Sequence, residues 1–133
     1  MKQFLKPGGF ADTALIAVAA AVEGAAGLTV IVDPTFLVRL LWATAVPSSQ
    51  LALARLAGIA LLALAVACWP ARNPGLRNDA AIRGLLTYNS LAGILFAYIG
   101  IRGEYVGWLL WPAVAFHATV AVLLARALLA GRR

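Results

Sequence analysis

The sequence predicts an all-α membrane protein, an antiparallel bundle of four transmembrane helices with a short helix outside the membrane. Four long apolar runs, separated by short breaks, fill most of the 133 residues. Hydrophobic residues make up 63% of the chain and charged residues 12%, against about 45–50% and about 25% in soluble domains. Each run approaches the ~20 apolar residues that cross a ~30 Å hydrocarbon core. Residues 1–133 form one predicted domain.

The four predicted spans cover residues 13–32, 50–69, 84–101 and 106–131. The first follows Lys2 and Lys6, as the apolar part of a signal peptide would. Glu23, however, interrupts the stretch where a cleavage site would lie, and the apolar run continues to Val32. This favours a first transmembrane helix over a cleaved signal peptide.

The segment after the first span predicts a short helix at the membrane surface. Pro34 cannot continue a helix but suits the first turn of a new one. Residues 35–46 are apolar but too short to span the bilayer, and they include Arg39 and Trp42, which suit the headgroup region. We expect a short interfacial or re-entrant helix here on the extracytoplasmic side, with a plain extracytoplasmic loop as the alternative.

The remaining connections are short. Asn73-Pro74-Gly75 predicts a tight turn between the second and third spans. Only a few residues around Gly103 separate the third and fourth spans, which predicts a helical hairpin. Aromatic residues gather at that end, as in the belts at membrane interfaces: Tyr98, Tyr105, Trp108 and Trp111.

The basic residues predict the orientation. With four spans, both termini and the second connection share one side, which carries eight of the 11 basic residues. The other side carries Arg39 and Arg102, and Arg55 lies within a span. By the positive-inside rule both termini are cytoplasmic, and the short loops and high Ala, Leu and Arg content suit a bacterial inner membrane. The eight residues are Lys2, Lys6, Arg72, Arg77, Arg83, Arg126, Arg132 and Arg133.

Polar residues within the spans are the candidate site residues, because ionisable groups in lipid are costly and usually functional. Small residues share their helix faces, so we expect these faces to look into the bundle. The predicted cluster comprises Glu23, Arg55, Tyr88, Asn89 and His117.

The depths of two charges predict an ion pair. Counted from the span ends at 1.5 Å per residue, Glu23 and Arg55 are offset by only ~7 Å, within reach of a long arginine side chain. Losing one partner of such a pair costs ~3–5 kcal/mol. Two interpretations stay open: an interhelical clamp without chemistry, and a ligand or proton site.

The sequence assigns no catalytic residue and no metal ligand. His117 could relay a proton or bind haem, or form an interhelical hydrogen bond to Glu23, Tyr88 or Asn89. The single cysteine, Cys68, excludes an internal disulfide or a CxxC pair. No cofactor is implied, with quinone or haem as the alternative. The chain has a net charge of +6, and its basic residues flank the spans. This position favours anionic lipid over nucleic acid as a partner.

The string Leu53-Ala-Arg55-Leu-Ala-Gly58-Ile-Ala-Leu-Leu resembles the Arg–small–Gly pattern that opens a helix in DoxX-like small membrane proteins. Glu23-Gly24 with Gly27, and Leu110-Trp111-Pro112 followed by His117, also resemble such proteins. The resemblance implies four spans, and some relatives are linked to quinone or thiol redox chemistry. One cysteine does not suit thiol chemistry.

Three functional hypotheses follow. The first is a non-catalytic accessory subunit or lipophilic-ligand binder, with other membrane subunits or further copies of the chain as partners. The second is a proton-coupled transporter that uses Glu23, because the chain resembles small multidrug-resistance exporters in size and in its lone first-span carboxylate. The third is a redox protein with quinone or haem at His117. We favour the first.

Overall fold

The computed structural model describes residues 9–69 and 79–130, with side chains from residue 12 onward. The described residues form five α-helices and one short 3-10 turn. The helices are α1 (Gly9–Val32), α2 (Pro34–Trp42), α3 (Leu51–Cys68), α4 (Asp79–Arg102) and α5 (Leu110–Ala130), and the turn covers Ser48–Gln50. The turn predicted at Asn73-Pro74-Gly75 and the terminal residues 1–8 and 131–133 lie outside the described residues.

The prediction of four long apolar helices is confirmed. Residues Asp12–Val32, Ser48–Cys68, Asp79–Arg102 and Leu110–Ala130 are each long and apolar enough to cross a membrane. Three predicted starting points were wrong. The first helix begins at Gly9 instead of Thr13. The third helix begins at Asp79, one turn before Gly84, and the fourth begins at Leu110 instead of Val106. Gly107 and Leu109 precede this helix, and their N–H groups donate to the carbonyls of Leu41 and Leu40 respectively.

The short helix α2 begins where Pro34 was expected to start a new turn. Asp33 caps it, with its Oδ1 accepting from the N–H groups of Thr35 at 3.0 Å and Phe36 at 3.1 Å. Such a cap satisfies donors that the first turn leaves unpaired. The helix ends at Trp42 instead of residue 46, because Ala43 adopts the left-handed conformation with φ 54°.

Helices α1 and α3 form one closely packed pair, and α4 and α5 form the other. A Cβ added to Gly27 would lie 2.7 Å from the carbonyl oxygen of Gly58, and one added to Gly58 would lie 2.8 Å from that of Gly27. Only glycine at both positions lets the two backbones approach this closely. This contact fixes the register of α3 against α1.

One apolar core joins all four long helices. Each of three buried polar residues lies about one helical turn from this core: Glu23 after Ala20 on α1, Asn89 after Leu85 on α4, and His117 before Val120 on α5. The core therefore fixes the positions from which these side chains meet. Its buried members are Ile16, Ala19, Ala20, Cys68, Ala81, Ile82, Leu85, Val120 and Leu124.

Candidate functional site

The candidate site has two parts, a buried polar cluster and an apolar cavity. The polar cluster consists of Glu23, Tyr88, Asn89 and His117. Glu23 is 2% exposed and Asn89 is fully buried. Glu23 owes its burial to alanines at the preceding turn, Ala19 and Ala20, which let the neighbouring helices close around its carboxylate.

His117 and Asn89 form the best-defined hydrogen bond in the cluster. Nδ1 of His117 lies 2.8 Å from Oδ1 of Asn89, and Nδ2 of Asn89 donates to the carbonyl of Leu85 at 2.9 Å. Because the amide nitrogen is committed to a carbonyl, the amide oxygen faces the imidazole. An acceptor in that place requires the hydrogen of His117 on Nδ1.

Glu23 is the other polar neighbour of the imidazole. Its Oε1 lies 3.8 Å from Nδ1 of His117, beyond hydrogen-bond distance, and has no hydrogen-bond partner. The side chain of Tyr88 lies close enough to the Glu23 carboxylate to interact with it electrostatically. The cluster therefore joins α1, α4 and α5 and leaves one carboxylate oxygen unsatisfied.

Three aromatic rings pack edge-on around the imidazole. Its centroid lies 5.9 Å from that of Tyr88 and 5.4 Å from those of Phe96 and Phe116. These T-shaped contacts hold the ring in one orientation. Neither phenylalanine was predicted as a site residue, although Phe116 adjoins His117 and Phe96 lies two helical turns beyond Asn89.

The predicted Glu23–Arg55 ion pair is wrong. Arg55 is exposed and its Nε donates to the carbonyl of Ile31 at 3.2 Å. Ile31 is eight residues beyond Glu23, about 12 Å along the helix. The close contact of Gly27 with Gly58 sets this register, which the span ends alone do not reveal.

The other predicted polar residues meet as expected. The structure brings Glu23, Tyr88, Asn89 and His117 together and leaves out Arg55. Within residues 12–69 and 79–130, no group of three or more His, Cys, Asp or Glu residues could hold a metal ion. Cys68 is buried in the apolar core, where its Sγ lies 3.9 Å from the carbonyl oxygen of Ala81.

The second part of the site is a cavity of about 510 Å³ between α2, α3 and α4. Most of its lining is apolar, and the polar side chains on it are uncharged. The sequence does not reveal this cavity, because its lining combines residues of α2, α3 and α4 with residues of the connections that follow α2 and α4. They are Val38, Trp42, Thr44, Ala45, Val46, Pro47, Gln50, Leu53, Ala54, Ala57, Ile99 and Tyr105.

Phe96 separates the cavity from the polar cluster. The Trp42 indole, which lines the cavity, packs edge-on against Phe96 with 6.1 Å between centroids, and Phe96 contacts His117 in the same way. The indole Nε1 is buried without a hydrogen-bond partner. The two parts of the site are therefore neighbours joined through one aromatic ring.

Comparisons with protein-family models, with curated proteins and with solved structures find no match to this chain.

Proposed function

We propose that this chain is a small multi-pass membrane protein that binds a lipophilic molecule in the cavity between α2, α3 and α4. The cavity carries the proposal. Its volume of about 510 Å³ lies within the ~300–1,000 Å³ typical of ligand pockets, which combine an apolar lining with a few polar groups.

The distribution of apolar side chains supports insertion in a membrane. Large apolar residues are more than half exposed on every long helix, among them Leu28, Leu53, Ile94 and Val122. Water would not tolerate so much exposed apolar surface, whereas hydrocarbon covers it at no cost. The described charged residues lie near helix ends, with Glu23 as the buried exception.

The contacts between α1 and α3 support an antiparallel bundle. Three contacts follow one another along α1 in chain order: Gly24 faces Ala65, Gly27 faces Gly58, and the Ile31 carbonyl accepts from Arg55. The partner number falls as the α1 number rises, as it does between antiparallel helices. With the basic residues on alternate connections, we place both termini in the cytoplasm of a bacterial cell and α2 at the outer surface of its inner membrane.

The lining favours an uncharged amphiphile with a long apolar part. Leu53, Ala54 and Ala57 offer apolar contacts, while Thr44, Gln50 and Tyr105 offer hydrogen bonds to a neutral polar group. Leu53, Ala57 and Tyr105 are exposed, so the cavity borders the surface that the bilayer covers. A ligand would enter sideways from lipid.

Two alternatives remain proposals. A proton-coupled transporter that uses Glu23 gains support because Arg55 does not neutralise that carboxylate. A redox protein with quinone or haem at His117 gains less support, because Phe96 lies between the imidazole and the cavity. Membership of a DoxX-like group, and a role as an accessory subunit beside other membrane proteins, likewise remain proposals.

Quenching of Trp42 fluorescence tests ligand binding. The protein is reconstituted in nanodiscs with the other tryptophans, Trp69, Trp108 and Trp111, replaced by phenylalanine, and is titrated with a brominated long-chain alcohol. We expect saturable quenching that Ala54→Phe weakens by at least about tenfold, or ~1.4 kcal/mol. Ala63→Phe is the matched control, since Ala63 lies on the opposite face of α3 and is exposed.

Two results would contradict the proposal. One is quenching that rises linearly with the alcohol, without saturation, as expected for simple partition into lipid. The other is equal weakening by Ala54→Phe and Ala63→Phe, which would show a general effect of a larger side chain on α3.

A further inference from the structure

One oxygen of the buried carboxylate lacks a partner. Oε1 of Glu23 accepts no hydrogen bond, although the side chain is only 2% exposed. An ionised carboxylate oxygen away from water is strongly destabilised unless a donor or a cation compensates it. Either the carboxyl carries a proton or a neighbour supplies a compensating charge.

The nearest donor is already used. Nδ1 of His117 lies 3.8 Å from Oε1, but its hydrogen points to Oδ1 of Asn89 at 2.8 Å. Asn89 cannot turn its amide nitrogen toward Glu23, because that nitrogen donates to the Leu85 carbonyl. The imidazole would have to break its hydrogen bond to Asn89 in order to donate to Oε1 of Glu23.

The other packed elements supply no cation. From α4, Tyr88 offers a hydroxyl to the carboxylate. From α3, Ala65 faces the adjacent Gly24, while Arg55 is held about 12 Å along α1 at Ile31. Arg39 of α2 is exposed. His117 is therefore the one titratable base among the described residues that faces Glu23.

We propose that Glu23 and His117 form a buried proton-binding site, in which Oε1 of Glu23 takes up one proton in exchange with water. With the proton bound, the pair is neutral and the imidazole keeps its hydrogen bond to Asn89. When the proton leaves, the carboxylate attracts the Nδ1 hydrogen of His117 and draws it away from Asn89. The site is independent of the proposed ligand cavity, so either proposal can fail alone.

Infrared spectroscopy of the protein in nanodiscs tests proton binding. We expect the carbonyl stretch of a protonated carboxylic acid in an apolar setting, which disappears as the pH is raised. Glu23→Gln, nearly the same shape, should lack the band at every pH. Glu104→Gln is the matched control and should keep it, because Glu104 is exposed beside Arg102.

Nitrogen-15 NMR of histidine provides the second readout. His117 is the single histidine in the chain, so labelled histidine reports on this residue alone. We expect hydrogen on Nδ1 at all pH values where the infrared band is present, and a shift of the Nδ1 signal as the band disappears. In Glu23→Gln this coupled shift should be absent.

A protonated-carboxyl band that is missing from the wild-type protein at every pH would overturn the proposal. A band that persists in Glu23→Gln would also overturn it, since it would then arise from another group. A His117 signal that responds identically in wild type and Glu23→Gln would show that the two side chains do not share a site.

Discussion

The carboxylate of Glu23 lies beside the imidazole of His117, with 3.8 Å between Oε1 and Nδ1. Arg55 instead binds the carbonyl of Ile31 at the end of α1. The buried acid therefore has a titratable base as its neighbour, and the arginine lies outside the cluster. Substitutions of Glu23 and His117 should therefore be energetically coupled, whereas substitutions of Glu23 and Arg55 should not.

A double-mutant cycle distinguishes the two pairs. For Glu23→Gln with His117→Gln we expect a coupling energy of about 0.5–3 kcal/mol, because the two side chains are neighbours in one buried polar cluster. For Glu23→Gln with Arg55→Gln the effects should add within ~0.3–0.5 kcal/mol. Unfolding in mixed detergent micelles measures both cycles. Coupling to Arg55 as large as that to His117 would contradict the structure.

Gly27→Ala tests the close contact of α1 with α3. The new Cβ would lie 2.7 Å from the carbonyl oxygen of Gly58 and 2.8 Å from the backbone nitrogen of Leu62, so the helices must separate. We expect a loss of about 1–3 kcal/mol in the free energy of unfolding, measured by circular dichroism in detergent.

Gly84→Ala is the matched control for that substitution. A Cβ there would meet only Cδ1 of Leu64, at an ordinary 3.9 Å. Replacing a helical glycine with alanine should then stabilise the protein by about 0.5–1 kcal/mol. Equal losses for Gly27→Ala and Gly84→Ala would show that close helix approach is not the cause.

Asp33→Ala tests the cap of α2, the helix that supplies Val38 and Trp42 to the cavity. It removes the acceptor for the N–H groups of Thr35 and Phe36 and should cost about 0.5–2 kcal/mol. We expect faster amide hydrogen exchange at these two residues. Asp33→Asn keeps a capping oxygen and should restore protection, and exchange that is unchanged in Asp33→Ala would exclude the cap.

The sequence was sufficient to predict the four long helices, because length and apolar content alone determine whether a segment suits hydrocarbon. It also predicted that Glu23, Asn89 and His117 would be buried, since alanine and glycine share their helix faces. These inferences depend on one helix at a time, which a single sequence describes well.

The remaining features depend on how one helix meets another. The predicted partner of Arg55 was wrong because its depth was counted from the span ends. The contact of Gly27 with Gly58 instead sets the register of α3 against α1. The late start of α5 depends on hydrogen bonds from Gly107 and Leu109 to the end of α2. The cavity likewise requires α2, α3, α4 and two connections to be placed together.

The most direct test of the account is the sidedness of two introduced cysteines. Wild type is the unlabelled control, because its single thiol, Cys68, is buried. Glu104→Cys lies in the exposed connection between α4 and α5, and Asp79→Cys lies at the exposed start of α4. Whole bacterial cells that make each variant are treated with a membrane-impermeant maleimide.

We expect Glu104→Cys to be labelled in intact cells and Asp79→Cys to be labelled only after the membrane is permeabilised. That outcome places the two ends of α4 on opposite sides of a membrane, with the connection to α3 in the cytoplasm. Labelling of both cysteines in intact cells, or of neither before permeabilisation, would contradict a bundle that spans the membrane in this orientation.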